Sequence, residues 1–104
     1  MPAAALQFVF RPNPGADLGA LLPLVKEVAG LWKEHGAQDV SLWGVQVGEA
    51  GNMALTLRFD SAAKLGEVLE GMNSDEKFGA WRARTLKAGL HTWVRSNQLF
   101  EIPL

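Results

Sequence analysis

Near the end of the chain the stretch "LHTWVRS", residues 90–96, sets His91, Trp93 and Arg95 at alternate positions. An imidazole titrates near neutral pH and can act as a general base. An indole stacks on a flat ring, and a guanidinium holds an anion. Alternate side chains of a strand share one face, so the three together predict a surface able to bind a planar phenol, take its proton and hold the anion that results. Arg58, in "NMALTLRF", is a second cation expected on that face, with Gln7 and Thr56 beside it. Trp81 belongs to a later helix, where it either closes one end of a cavity against the sheet or fills the core. The competing reading makes His91 and Trp93 packing and hydrogen-bonding residues of a subunit interface, where Trp and Arg are enriched.

Other chemistries lack their residues. With no cysteine and only two histidines in 104 residues, thiolate nucleophiles and disulfides are excluded and no metal site is expected. His35, just before Gly36, reads as a capping residue at a helix end. The acids Glu67, Glu70, Asp75 and Glu76 fall on helix surfaces and caps, and no carboxylate pair converges as glycoside hydrolysis requires. No glycine-rich loop leads from a strand into a helix, so nucleotide binding has no support and no cofactor is expected. The net charge of −1 comes from scattered residues without a basic run, so no nucleic acid is expected as a partner. The opening "MPAAALQFVF" lacks a basic n-region and a long apolar core, and no segment offers the ~20 apolar residues that span a bilayer. The expectation is a cytoplasmic protein without a membrane partner.

The elements that must position these residues follow from periodicity. "LQFVFR" (6–11) alternates Leu6, Phe8 and Phe10 against Gln7, Val9 and Arg11, which is a strand with unlike faces. From Asp17 onward Leu18, Leu21, Leu22, Val25, Val28, Ala29 and Trp32 form a helical stripe. Pro23 requires either that the regular helix start near Gly19 or that the first turn bend. "DVSLWGVQV" and "NMALTLRF" flank "GEAG" as a hairpin. A three-residue turn with Gly51 left-handed would set Val47 opposite Met53 and Trp43 opposite Leu57, placing Trp43, Val45 and Val47 on the apolar face with Met53, Leu55, Leu57 and Phe59. Trp32 and Trp43 are both expected in the core. "SAAKLGEVLEGM" is a helix, "NSDE" a break with a fresh cap, and "EKFGAWRARTLKAG" a second helix with Phe78, Trp81 and Thr85 at helical spacing that ends at Gly89. The last strand places Leu90 and Val94 inward, and the apolar tail "NQLFEIPL" is too greasy for a solvated end.

The order β-α-β-β-α-β predicts an α+β chain with a four-stranded antiparallel sheet and its helices on one side, a single domain over residues 1–104. The other sheet face, mixed rather than polar, is large for a monomer to expose.

This arrangement, and above all "LEGMNSDEKFGAWRARTLKAGL" with its broken helix and an aromatic before the last strand, resembles the dimeric α+β barrel superfamily, which includes the antibiotic-biosynthesis-type monooxygenases. The resemblance implies a ferredoxin-like sheet that pairs with a second copy, and a ligand cavity between sheet and helices or within the barrel. One branch degrades haem with an Asn on the first strand and a Trp and a His associated with the second helix; this chain offers Gln7, Trp81 and Arg82 and no His there. Another branch oxidises polycyclic phenols and quinols with dioxygen alone. The function expected is therefore a cofactor-independent, monooxygenase-like homodimer acting on a small aromatic or polyketide-like substrate, with His91 as base and Arg58, Trp93, Arg95, Trp81, Gln7 and Thr56 around the substrate. The alternatives are a dimer that holds a small aromatic or anionic ligand without converting it, and a purely structural module.

Overall fold

The computed structural model describes residues 2–104. Its elements are β1 (Ala4–Pro12), α1 (Leu18–Glu34), β2 (Gln38–Gly44), β3 (Met53–Phe59), α2 (Ala62–Asn73), α3 (Glu76–Ala88) and β4 (His91–Phe100). The strands form one antiparallel sheet in the order β2-β3-β1-β4, which is the ferredoxin-like α+β arrangement. β1 and β3 are central, and the alternation in their sequences places Leu6 and Phe10 with Leu55, Leu57 and Phe59 on a buried inner face. Leu21, Val25, Val28 and Trp32 of α1 and Leu65, Val68 and Met72 of α2 pack on that face.

Local chemistry sets the helix ends. Asp17 caps α1 through Gly19 N (2.8 Å), and Ser61 caps α2 through Lys64 N (3.1 Å). Asp75 caps α3 through Lys77 N (2.8 Å), and Gly89 closes α3 with φ +61°, where a left-handed residue is needed. Pro23 lies inside α1, which runs on to Glu34. The break between α2 and α3 is held from outside. His35, at the end of α1, sets Nε2 2.8 Å from Asp75 Oδ2, and a Cβ on Gly71 would meet the same ring at 2.8 Å. His35 thus does more than end its own helix, because it also ties α1 to the cap of α3.

Two registers differ from those the sequence predicts. β2 ends at Gly44, which pairs with Met53, and Trp43 pairs with Ala54. A loop from Val45 to Asn52 replaces the expected three-residue turn. It is closed by Val45 N to Asn52 O (2.9 Å) and Gly51 N to Val45 O (3.2 Å), with Gly48 and Gly51 both at positive φ. The pairing is shifted by an odd number of residues, which exchanges the faces of β2. Trp43 therefore points outward, 61% exposed, with its indole N–H donated to Thr56 Oγ1 (3.1 Å), and Val47 is exposed in the loop. The second difference is in β4. Val9 pairs with Arg95 but Phe10 pairs with Trp93, leaving Val94 as the extra residue of a bulge instead of an inward-packing position.

The two tryptophans assigned together to the core separate in energy. Trp32, 4% exposed in the core, should lose about 3–5 kcal/mol on substitution by Ala, whereas Trp43→Ser should cost less than about 1 kcal/mol. Urea denaturation of both variants measures the difference, and equal losses would restore the inward register of β2.

Candidate functional site

The bulge at Val94 decides which side chains meet. Before it, His91 opposite Pro12 and Trp93 opposite Phe10 lie on the inner face; beyond it, Arg95 lies beside Val9 on the outer face. The expected row of His91, Trp93 and Arg95 is thus divided between the two sides of the sheet.

On the outer face the remaining candidates are occupied by local partners. Arg95 pairs with Glu49 at 2.5 Å, and Asn52 Nδ2 donates to the same Glu49 carboxylate at 2.9 Å. This draws the 45–52 loop across Val9 and Ala54, both buried although no helix covers that side. Gln7 Oε1 accepts from Asn97 Nδ2 (2.8 Å), Thr56 Oγ1 accepts from Trp43, and Arg58 stands 3.7 Å from Asp39. Gln7, Thr56, Arg58 and Arg95 therefore do not surround His91. Thr56 and Arg58 border a shallow hollow of about 410 Å³ with Trp43, Leu99 and Phe100.

His91, Trp93 and Trp81 do meet, on the other side. They line a cleft of about 590 Å³ between α1, α3 and the inner face of the sheet, a size that suits a small organic ligand. Aromatic rings run along it in series. Phe8 lies 5.6 Å from Trp32 between centroids, Trp32 lies 6.4 Å from Phe78, and Phe78 stacks on Trp81 at 5.9 Å with 14° between planes. Trp81 is held in place by its N–H, donated to Leu24 O at 2.8 Å, so α3 is pinned to α1 along one wall. At the other wall Phe10 meets the His91 ring edge-on at 5.4 Å. Trp93, 63% exposed, stands at the mouth with its N–H on Ser96 Oγ (3.1 Å).

Polar groups in the cleft are few. His91 Nδ1 is buried and has no hydrogen-bond partner, and burial holds its imidazole below the ordinary histidine value. Thr85 Oγ1 is also buried and unpartnered. Among the described residues Arg82 is the one charged side chain of the lining, with its Cζ 6.0 Å from the centre of the Phe78 ring. A neutral imidazole on the wall of an aromatic cleft can accept a proton from a bound hydroxyl once a ring nitrogen is turned to it. Periodicity alone does not single out Thr85 or Arg82. The available signal was Thr85 as a polar residue on the stripe of Phe78 and Trp81.

Comparison with known proteins places the fold. No protein-family model and no curated protein matches the chain by sequence. Among solved structures, the chain is similar to a NIPSNAP domain protein from Burkholderia xenovorans, with TM-score 0.72, 14% identity, and 97% of this chain and 94% of that one covered. A NIPSNAP family protein from Agrobacterium tumefaciens matches with TM-score 0.69 and 15% identity over 98% of this chain and 86% of the other. SnoaB, a cofactor-independent oxygenase from Streptomyces nogalater, matches with TM-score 0.72 and 10% identity over 100% and 97% of the two chains. These likenesses establish the ferredoxin-like fold shared with such an oxygenase. No helix is long and apolar enough to cross a membrane among the described residues.

The lowered affinity of His91 for protons fixes a sign for stability against pH. The unfolded chain takes up its proton near pH 6.5, before the folded one does. As pH falls below about 6.5 the unfolded state therefore binds more protons and the fold loses stability, until the folded histidine also protonates. Above that window His91 contributes no slope. Replacing it by Phe should flatten the fall in stability between about pH 7 and pH 5 relative to wild type; denaturation midpoints that fall in parallel for both proteins would show that His91 is not buried in its neutral form.

Proposed function

We propose that the cleft binds a small planar aromatic or polyketide-like molecule and that the protein is a cofactor-independent, monooxygenase-like enzyme. The observation that carries this reading is His91, an imidazole kept neutral by burial that lines a cavity of about 590 Å³ walled by aromatic rings and whose buried Nδ1 has no hydrogen-bond partner. The likeness in fold to an oxygenase that works without a cofactor supports it and supplies no residue roles.

In the proposed reaction His91 takes a proton from a substrate with an acidic phenol or an activated ring methylene, leaving a delocalised anion against the indoles of Trp81 and Trp93. That anion is electron-rich enough to reduce dioxygen by one electron, and the two radicals join in a carbon–oxygen bond. The peroxide then loses water. Over the whole sequence a methylene and dioxygen become a carbonyl and water, so one oxygen atom enters the product, the other leaves with the two displaced hydrogens, and no external reductant is required. Excluding bulk water from the cleft raises the strength of each polar contact to the anion.

One observation favours a second reading, that of a binder without turnover. Among the described residues the cleft lining contains no carboxylate, so His91 has no orienting acid of the kind that fixes an imidazole tautomer in many acid–base sites.

The two readings separate on oxygen uptake with an anthrone or quinol probe, measured against the spontaneous oxidation without protein. The enzyme reading expects catalysed uptake, one labelled oxygen atom from ¹⁸O₂ in the product, and a decrease of about 100-fold or more in His91→Ala. Saturable binding with no uptake above background would leave the binder.

In this proposal the protein acts as a homodimer through the outer face. Leu99, 48% exposed and level with Ala5 and Arg58, stands there with Trp43, both without a covering helix. Sedimentation equilibrium should give a mass near two chains, and Leu99→Asp should weaken the association by tenfold or more. A single-chain mass that does not change with concentration would remove the dimer.

A further inference from the structure

The cleft is apolar except at a few points, and these define what a ligand must carry. Thr85 sits in the last turn of α3 and is only 5% exposed. A threonine hydroxyl within a helix ordinarily bonds back to the carbonyl four residues earlier, yet Thr85 Oγ1 has no partner. His91 follows six residues later, just past the Gly89 turn, where Gly89 N bonds Thr85 O at 3.3 Å; its buried Nδ1 is likewise unpartnered. Both residues line the cleft where α3 joins β4, and each holds a buried polar atom without a partner, which a turn of the side chain would bring to a ligand. Leaving such groups unsatisfied is costly, and one ligand hydroxyl, both donor and acceptor, can serve either of them.

The opposite requirement is set by Arg82, three residues before Thr85 and so on the same side of α3. Three of the other arginines have acidic partners: Arg84 with Glu27, Arg95 with Glu49 and Arg58 with Asp39. Arg82 has no carboxylate within salt-bridge distance among the described residues and leans toward Phe78. With no acid in the lining among the described residues, Arg82 is a cation there without a paired carboxylate. From Thr85 back to Phe78 the helix advances about 10 Å, a length that a two-ring arene with substituents at its opposite ends can span.

We infer that the cleft selects a flat hydroxyaryl carboxylic acid, its hydroxyl at Thr85 and His91 and its carboxylate on Arg82. This rests on the aromatic-binding reading of the cleft and adds to it the two substituents and their direction. Thr85 is then a specificity-determining residue that touches the ligand without taking part in proton transfer.

The test is calorimetric titration of the wild-type protein at pH 7.5 with four probes: 2-methylnaphthalene, 2-naphthol, 2-naphthoate and 6-hydroxy-2-naphthoate. The expected result is that 6-hydroxy-2-naphthoate binds roughly tenfold more tightly than either singly substituted compound. Thr85→Val, which keeps shape and removes the hydroxyl, should remove part of the gain of 6-hydroxy-2-naphthoate over 2-naphthoate, since His91 still meets the hydroxyl, while leaving 2-naphthoate unchanged. It should not lower the melting temperature of the unliganded protein, since it removes an unsatisfied group. Arg82→Gln should erase the gain from the carboxylate and spare the gain from the hydroxyl. If all four probes bind alike, or if Thr85→Val melts earlier and weakens every probe equally, the inference falls and the aromatic-binding reading stands. If none of the four binds, both fall together. The probe series on wild-type protein decides the matter even if a variant fails to fold.

Discussion

The extra residue at Val94 and the salt bridge just beyond it allocate the side chains of the last strand, and with them the chemistry of each sheet face. Without the bulge, strict alternation would carry His91, Trp93 and Arg95 to one side. With it, β4 turns its first half toward the helices and presents Arg95 to the outside, where Glu49 holds it at 2.5 Å. The same contact pulls the 45–52 loop across Val9 and Ala54 and keeps them dry. Shape on one side and charge pairing on the other are thus consequences of one irregularity, in keeping with the tendency of bulges to re-aim side chains near sites.

The inner side then becomes a question of how to keep a cavity open in a small protein. Large rigid rings do this better than aliphatic chains, because each ring has few rotamers and leans on a neighbour. Phe8, Trp32, Phe78 and Trp81 form such a series from sheet to α1 to α3. The bond from the Trp81 indole to Leu24 O sets the spacing of the two helices at that wall. At the far end His35 links α1 to Asp75, and this bond, with the backbone N–H of Lys77, keeps the Asp75 carboxyl below its usual range. α3 is therefore fixed both at its cap and midway along its length.

Much of this was legible in the sequence, and the failures have definite causes. The alternation of Leu6, Phe8 and Phe10 and of Leu55, Leu57 and Phe59 named the inner face correctly, because central strands with one buried side leave little freedom of register. Asp75 and Gly89 marked α3 because caps act locally. The hairpin misled because "GEAG" contains a turn-forming glycine at the expected place, while the loop also uses Gly48 and the buried Asn52 to close earlier. The bulge in β4 had no glycine to announce it, and the pattern of types on either side of Val94 reads as unbroken alternation. Arg58, Arg95, Gln7 and Thr56 lie on the outer face, where alternation puts them, and Trp81 lies between the helix and the sheet; it is His91 and Trp93 that the bulge turns away from that row. Thr85 needed knowledge of what a hydroxyl fails to touch, which no sequence spacing contains.

The energetic argument for a ligand is separate from any likeness in fold. A buried hydroxyl or imidazole nitrogen without a partner costs about 1–3 kcal/mol, and domains of this size are stable by only about 5–15 kcal/mol in total. Thr85 Oγ1 and His91 Nδ1 together therefore claim a substantial part of what holds the fold. Valine at position 85 would fill the same space, and phenylalanine at 91 could still meet the ring of Phe10; neither would leave an orphan. Sequences that specify a single fold tend to satisfy every buried polar group, and departures concentrate where something other than folding is served. Two such departures fall on residues that line one aromatic cleft, beside an arginine with no acid in salt-bridge distance among the described residues.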